Sequence, residues 1–257
     1  AFAADPRLVK VQSRMAFLDA AGRPTGVVKP APHLPLPRGD MRAAELAYPF
    51  DLTWMATSGN AFRAAALREI FPIPPEPYRI CADWYLVHLS ALLGEVASLD
   101  EVNAFHRLHG ENNYEPQEAR LDLDQVRATI GYARATSAAL LELAGRLGLP
   151  RPDRILSLAD LANRMISLRL EPGAHPLPGD RPAGLLRDAV AAARRRDNAT
   201  APMKALFLAW FAAMAVAPRG AARRLAVAFL FPERRRGVNS ILGRFQRGGA
   251  REVRQAE

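Results

Sequence analysis

The amino-acid sequence predicts an α/β region followed by a mainly α-helical region. Residues 8–18 alternate between apolar and other side chains, which is the period of a β-strand. From about residue 118 onward, apolar residues recur at helical spacing instead. The 257 residues are 49% hydrophobic and 24% charged, a globular composition that excludes a disordered or collagen-like chain. The single cysteine, Cys81, excludes a disulfide-stapled module and favours a reducing compartment.

The first predicted elements are a strand and its hairpin partner. In the strand Leu8–Leu18, one side carries apolar residues such as Val11 and Phe17, and the other carries Lys10, Gln12 and Arg14. Turn chemistry over residues 19–24 predicts that residues 25–28 return as a second strand. The four prolines of residues 29–40 predict an irregular surface loop.

Two helices and two short strands are predicted next. The sequence indicates a helix over residues 61–70 that the following prolines end, and a helix over residues 81–93 that Gly94 closes. Residues 96–99 and 102–108 have the pattern of short strands on either side of a turn at Asp100 and Glu101.

The second region is predicted to consist of successive helices. Apolar stripes begin near Leu123, Ile155 and Leu185, and the Pro- and Gly-rich residues 172–182 are typical of a linker. Residues 203–216 are apolar apart from Lys204, but this stretch of 14 residues is shorter than the roughly 20 needed to span a bilayer.

Charge is distributed unevenly along the chain. The formal net charge is +9, made up of −2 over residues 1–120 and +11 over residues 121–257, with +8 in residues 201–257. A basic tail indicates an anionic partner, either a membrane surface or a nucleic acid. We expect no nucleic-acid partner, because the basic groups do not interleave with aromatics in a recognisable module. The tail fits both a helical hairpin at a membrane interface and a packed core helix.

Residues that could carry chemistry cluster between positions 57 and 114. Asp83 begins an apolar helix, so it is either a capping carboxylate, which the periodicity favours, or a general base at a pocket rim. Ser58 and Asn60 are good helix N-caps, although amides at a helix start can also hold a ligand. His109 stands in a polar, glycine-broken run with Asn112, which suggests contact with a phosphate or a metal.

Common nucleotide and hydrolase motifs are absent from the sequence. There is no phosphate-binding Gly-x-x-x-x-Gly-Lys loop, no Gly-x-Ser-x-Gly elbow and no His-Glu-x-x-His zinc motif. The Asp-x-Asp of Asp122 and Asp124 lies in a helical pattern, so we do not interpret it as a metal site.

Three runs in this order resemble family 2 glycosyltransferases, which have the GT-A fold. They are TSGNAFR at residues 57–63, ADWYL at residues 82–86 and FHRLHGENN at residues 105–113. Residues 1–6 resemble the helix that follows the family's Asp-x-Asp, and residues 11–22 resemble its next strand and turn. The resemblance covers roughly residues 1–115 and corresponds to the second, acceptor-side half of the catalytic domain.

The resemblance implies an inverting transfer of a sugar from a nucleotide-sugar donor to a hydroxyl acceptor in cell-surface glycan synthesis. It assigns the base to Asp83, although Ala82 stands where the family usually has glutamate. It implies acceptor contacts by Ser58, Gly59, Asn60 and Trp84. It also implies that His109 and Asn112 approach the diphosphate or a divalent cation, Mg²⁺ or Mn²⁺, with His109 as a candidate metal ligand.

The family's nucleotide-binding half has no counterpart in this sequence. The resemblance therefore predicts an N-terminally truncated enzyme, inactive by itself, with an acceptor half over residues 1–117, a helical extension over 118–200 and a basic amphipathic tail over 201–257. We expect a cytoplasmic location, with the tail at the inner face of the plasma membrane near a glycan or lipid-linked acceptor. The alternative is a non-catalytic, peripheral membrane-binding helical protein.

Overall fold

The chain folds into two compact units. A computed structural model describes residues 1–110 and 121–231. Within these, residues 1–110 and 131–157 form unit 1, and residues 121–130 and 158–231 form unit 2. Unit 1 contains the sheet, whereas unit 2 is helical throughout its described residues. The predicted order, an α/β region followed by a mainly helical region, is confirmed.

Unit 1 is built on a mixed sheet in which one strand contacts all the others. The central strand β1 pairs antiparallel with β2 and β3 and parallel with β4. The predicted hairpin of β1 and β2 is confirmed. The four strands are β1 (Leu8–Leu18), β2 (Pro24–Lys29), β3 (Asn60–Phe62) and β4 (Glu95–Arg107).

Two sequence predictions around this sheet are wrong. The two short strands predicted at 96–99 and 102–108 are one strand, β4, because its ladder to β1 accommodates Asp100 and Glu101 as a bulge between the pairs Ser13–Leu99 and Arg14–Val102. Residues 1–6, which resemble a helix of the family, form hydrogen-bonded turns instead.

Both faces of β1 are buried, including the polar one. Lys10 and Gln12 have no solvent exposure, and Arg14 is 5% exposed. Arg14 binds the proline-rich loop, since its guanidinium donates to the carbonyl oxygens of Pro30, Ala31, Pro32 and Leu34. The guanidinium also donates to Asp100 at the bulge of β4. The Arg14 side chain thus supplies hydrogen-bond donors to the carbonyl oxygens of a loop whose prolines cannot join a β-ladder.

Helices cover unit 1 and pack on one another. They are α1 (Arg42–Ala47), α2 (Ala64–Ile70), α3 (Pro75–Tyr78), α4 (Asp83–Leu93) and, from residue 131 onward, the second part of α5 (Leu123–Arg146). The hydrophobic core is centred on α4, and its buried members include Leu46, Tyr78, Leu89, Leu92, Leu140 and Leu143.

The prediction of a helix starting at residue 61 is wrong. Residues 60–62 are the short strand β3, and the helix α2 begins at Ala64. The ladder decides this, because Asn60, Ala61 and Phe62 pair with Gln12, Val11 and Lys10 and satisfy backbone groups that local propensity would have placed in a helix.

Unit 2 is organised around a buried helix. The helix α6 (Leu158–Leu170) lies among α7 (Pro182–Arg195), α8 (Ala201–Val216) and α9 (Arg219–Leu230), and its side chains Leu158, Leu161, Met165 and Ile166 are fully buried. Residues 172–182 are not a free linker, because His175 hydrogen-bonds both Ser167 and Asp180. Asp180 also forms an ion pair with Arg164.

Among the helices of the described ranges, none combines the length and apolar character that crossing a membrane requires.

Gly94, the residue after α4, is required for a steric reason. Its backbone is extended, with φ 177°, so any residue could adopt its conformation. A Cβ at this position would lie 2.4 Å from Cγ1 of Val9 and 2.7 Å from the carbonyl oxygen of Arg7. The glycine therefore allows the start of β4 to approach β1.

We predict that Gly94→Ala destabilises unit 1 by about 1–3 kcal/mol, the usual cost of overpacking. The matched control is Gly131→Ala, where a Cβ meets nothing within 4 Å in the helix α5, so that variant should gain up to about 1 kcal/mol. The measurement is chemical denaturation of both variants, and equal stabilities would contradict the steric explanation.

Burial of Lys10 should make stability depend on pH. Burial lowers the pKa of the Lys10 ammonium to about 7, although the Glu45 carboxylate opposes this shift. Between about pH 7 and 10 the unfolded chain then binds a proton that the folded chain does not, so the free energy of unfolding rises with pH. We predict that, relative to Lys10→Met, the wild-type value rises by about 1.4 kcal/mol per pH unit in this range. Parallel curves for the two proteins would contradict the prediction.

Candidate functional site

The segment 55–60 forms a closed turn ahead of β3. The side-chain amide of Asn60 donates to the carbonyl oxygens of Met55 at 2.9 Å and Ala56 at 2.8 Å. Gly59 is buried within the turn, where a Cβ would lie 3.1 Å from Cβ of Met55 and 3.2 Å from the carbonyl oxygen of Ser13. Ser58 and Asn60 are therefore not helix N-caps, and that interpretation is wrong.

Asp83 joins this turn from a different element. It is the first residue of α4, and its carboxylate lies near its own backbone N–H and near that of Thr57. Burial raises the pKa of the Asp83 carboxyl, and these two N–H groups only partly offset the effect. The structure thus brings Asp83 to the turn that carries Ser58, Gly59 and Asn60.

The turn presents polar groups at different depths. Ser58 is exposed, Gly59 is buried, and Asn60 and Asp83 are half-buried. The Oδ1 atom of Asn60 is shielded from solvent and accepts no hydrogen bond from the described residues. Leaving a buried acceptor without a hydrogen-bond donor costs stability at this position of the turn.

Trp84 follows Asp83 and lies in an aromatic cluster of unit 1. Its ring centroid is 5.0 Å from that of Phe50, 5.7 Å from that of His88 and 6.0 Å from that of Tyr132. These contacts fix the side chain of Trp84, which is half-buried beside the start of α4.

A layer of buried polar groups below the turn was not identified from the sequence. Gln12 accepts a hydrogen bond from the backbone N–H of Met55 and donates to Oγ of Ser98. The ammonium of Lys10 donates to the carbonyl oxygen of Val87 at 2.8 Å and lies 3.2 Å from the ring centroid of Trp54. The only sequence signal for this layer was the run of polar residues at alternate positions of β1.

Glu45 and His88 complete this layer. Oε2 of Glu45 accepts from Nε1 of Trp54 at 3.0 Å, and Oε1 lies 2.5 Å from Nδ1 of His88. Glu45 is fully buried and His88 is 5% exposed, so both carboxylate oxygens have partners away from solvent. The pair connects α1 to α4, because Glu45 lies on α1 and His88 lies on α4, four residues after Trp84.

His109 lies near the Leu18 end of β1. The backbone N–H of Leu108 donates to the carbonyl oxygen of Leu18, whereas Asn60 pairs with Gln12 and Gly59 lies against Ser13 in the middle of the strand. Leu18 lies five residues beyond Ser13, or about 17 Å at the rise of a β-strand. His109 is exposed, and its proposed contact with a diphosphate or metal stays a prediction. Asn112 lies outside the described residues.

Possible metal-ligating side chains do not gather in threes within the ranges 1–110 and 121–231. No group of three His, Cys, Asp or Glu side chains there could hold an ion. Asp122 accepts from the backbone N–H groups of Asp124 and Gln125 at the start of α5, and Asp124 pairs with Arg127. The local Asp-x-Asp is thus a helix start, as its pattern indicated.

The geometry can support proton transfer at the turn. A carboxylate of raised pKa, lying near the backbone N–H of Thr57, can accept a proton from a hydroxyl that reaches the exposed edge near Ser58. Asn60 holds the same turn closed through its two donated hydrogen bonds.

We predict that the isosteric change Asn60→Asp destabilises the protein by about 1–3 kcal/mol at neutral pH. It replaces two donated hydrogen bonds with a carboxylate that faces the carbonyl oxygens of Met55 and Ala56. The control Asn103→Asp changes charge equally at an exposed position of β4 and should stay within about 0.5 kcal/mol of wild type. Thermal and chemical denaturation measure the difference, and an equal effect of the two changes would argue against the closed turn.

Comparison with known proteins gives one partial similarity. A segment of 58 residues, 23% of this chain, is 43% identical to a protein of Nostoc sp. named as an uncharacterized glycosyltransferase. The segment covers 18% of that protein, so the similarity concerns less than a fifth of the relative's length. No protein-family model matches the chain, and no solved structure matches it.

Proposed function

We propose that this chain carries the acceptor side of an inverting glycosyltransferase, with Asp83 as the general base. The observation that carries the proposal is the meeting of Asp83 with the turn of Ser58, Gly59 and Asn60. The partial similarity to a protein named as a glycosyltransferase supports the same class of reaction.

In the proposed reaction, the acceptor hydroxyl lies at the exposed edge of the turn. Asp83 takes the hydroxyl proton as the acceptor oxygen forms its bond to the anomeric carbon of the donor sugar. The bond between that carbon and the nucleoside diphosphate breaks, and the diphosphate leaves with the electron pair. Attack from the opposite side inverts the configuration at the anomeric carbon.

The other site residues would bind rather than react. Ser58 and the backbone of Gly59 line the acceptor edge, Asn60 orders that edge through its hydrogen bonds to Met55 and Ala56, and Trp84 provides an apolar ring for a sugar. The donor is a nucleotide sugar and the acceptor a glycan or a lipid-linked hydroxyl. The described residues form no three-ligand metal group, so no step here is assigned to Mg²⁺ or Mn²⁺.

We predict that Asp83→Asn lowers turnover by about 10²–10⁴-fold, the usual contribution of a general base, while the protein stays folded. The amide oxygen can still face the backbone N–H of Thr57, and Asn60 still closes the turn, so the turn should persist. Protein expressed from the complete reading frame is incubated with a panel of nucleotide sugars and hydroxyl acceptors, and released nucleoside diphosphate is measured.

The matched control is Asp124→Asn, which removes the same charge from the first turn of α5 at an exposed position. It should leave turnover unchanged. Because burial raises the pKa of Asp83, wild-type turnover should fall on acidification at a pH above the ordinary range of an aspartate. Unchanged turnover in a folded Asp83→Asn protein would refute the assignment of the base and favour the non-catalytic alternative.

A further inference from the structure

The helix α8 is apolar on all sides apart from Lys204, yet unit 2 buries only part of it. Phe211 and Met214 are the side chains buried against the rest of the unit. On the opposite side, six exposed residues form what we call the α8 face: Ala205, Leu206, Ala209, Ala212, Ala213 and Val216. At 100° per residue they occupy one continuous stripe about 120° wide.

The α8 face contains no polar side chain. Leu206 is 46% exposed and Val216 is 82% exposed, while the remaining members are alanines. A surface helix of a globular protein normally carries charged or polar residues on its outer side, so an apolar outer side indicates an environment other than water.

The helix α9 packs alongside α8 and supplies positive charge. The indole of Trp210 donates to the carbonyl oxygen of Leu225 and its ring lies 4.5 Å from that of Phe229, so the two helices form an antiparallel hairpin. Arg219, Arg223 and Arg224 are exposed on α9.

Negative charge is absent from this part of the sequence. No aspartate or glutamate occurs from residue 198 to residue 232, whereas Lys204 and three arginines do. The apolar stripe thus lies in a hairpin of net charge +4, which complements an anionic surface. A second copy of the chain seated here would bring two such sets of like charges together, which is unfavourable.

We propose that the α8 face is a docking surface for an anionic lipid bilayer, on which the hairpin of α8 and α9 lies in the plane of the interface. A helix of 16 residues is about 24 Å long, less than the roughly 30 Å of a hydrocarbon core, so α8 lies on the membrane and does not cross it. The alanine-rich face inserts weakly, and the cations must contribute much of the affinity.

The test is sedimentation of the full chain with vesicles of phosphatidylcholine alone or with about 30% phosphatidylglycerol. We expect at least tenfold tighter binding to the anionic vesicles and a loss of that preference at about 0.5 M NaCl, because salt screens exposed charges. Arg223→Gln with Arg224→Gln should weaken binding to anionic vesicles by about tenfold or more.

The deciding variant is Ala209→Glu with Ala213→Glu, which places two carboxylates on the α8 face. It should abolish vesicle binding. Its control is Ala128→Glu with Ala138→Glu, which makes the same charge change at exposed positions of α5 and should retain most of the binding. Circular dichroism checks that both proteins keep their helicity.

Three outcomes would overturn the proposal. They are a lack of vesicle binding by the wild-type chain, binding that ignores lipid charge and salt, and equal binding by the two double variants. A wild-type dimer that Ala209→Glu with Ala213→Glu converts to a monomer would assign the α8 face to a second copy instead. None of these outcomes depends on the proposed transferase activity.

Discussion

The buried polar face of β1 is the constraint on which unit 1 depends. Lys10, Gln12 and Arg14 point into the protein from alternate positions of one strand, and a buried polar group is tolerated only where it finds partners. Each finds them largely in backbone atoms, which for Gln12 and Arg14 belong to irregular segments and for Lys10 to the helix α4. The side chains of β1 therefore position irregular segments through hydrogen bonds, and its backbone positions the other strands through β-pairing.

Contacts with the buried polar face of β1 position the candidate site. Gln12 holds the backbone at Met55 just before the turn of residues 57–60, and Lys10 holds the carbonyl of Val87 one turn into α4. Glu45 ties the same helix to α1 through His88. Asp83 and the turn reach each other because both are attached to neighbouring positions of one strand. Removing one member of such a buried set leaves its partners unsatisfied, so the layer below the site is under strong constraint.

In unit 2, the apolar helix α8 packs on a small set of other helices. The core side of α8 packs at Phe211 and Met214, and the guanidinium of Arg169 donates to the carbonyl oxygens of Met214 and Ala217 at the end of the helix. A cation at the C-terminal carbonyls satisfies groups that have no partner within the helix and complements its dipole. The helix is thus anchored at one side and one end, which leaves the α8 face outward.

The sequence by itself determined the order of elements, the β1–β2 hairpin, the apolar helices and the residues Asp83 and Ser58–Asn60 as a group worth testing. Those inferences rest on local periodicity, turn chemistry and recognisable runs. Tertiary structure alone decided that residues 60–62 pair as a strand, that Asp100 and Glu101 form a bulge in one long strand, and that His109 lies near the Leu18 end of β1 while the turn lies against the middle of that strand. It also decided that Lys10, Gln12 and Arg14 are buried. The reason is physical: pairing and burial depend on which distant backbone groups need a partner, and no local pattern carries that information.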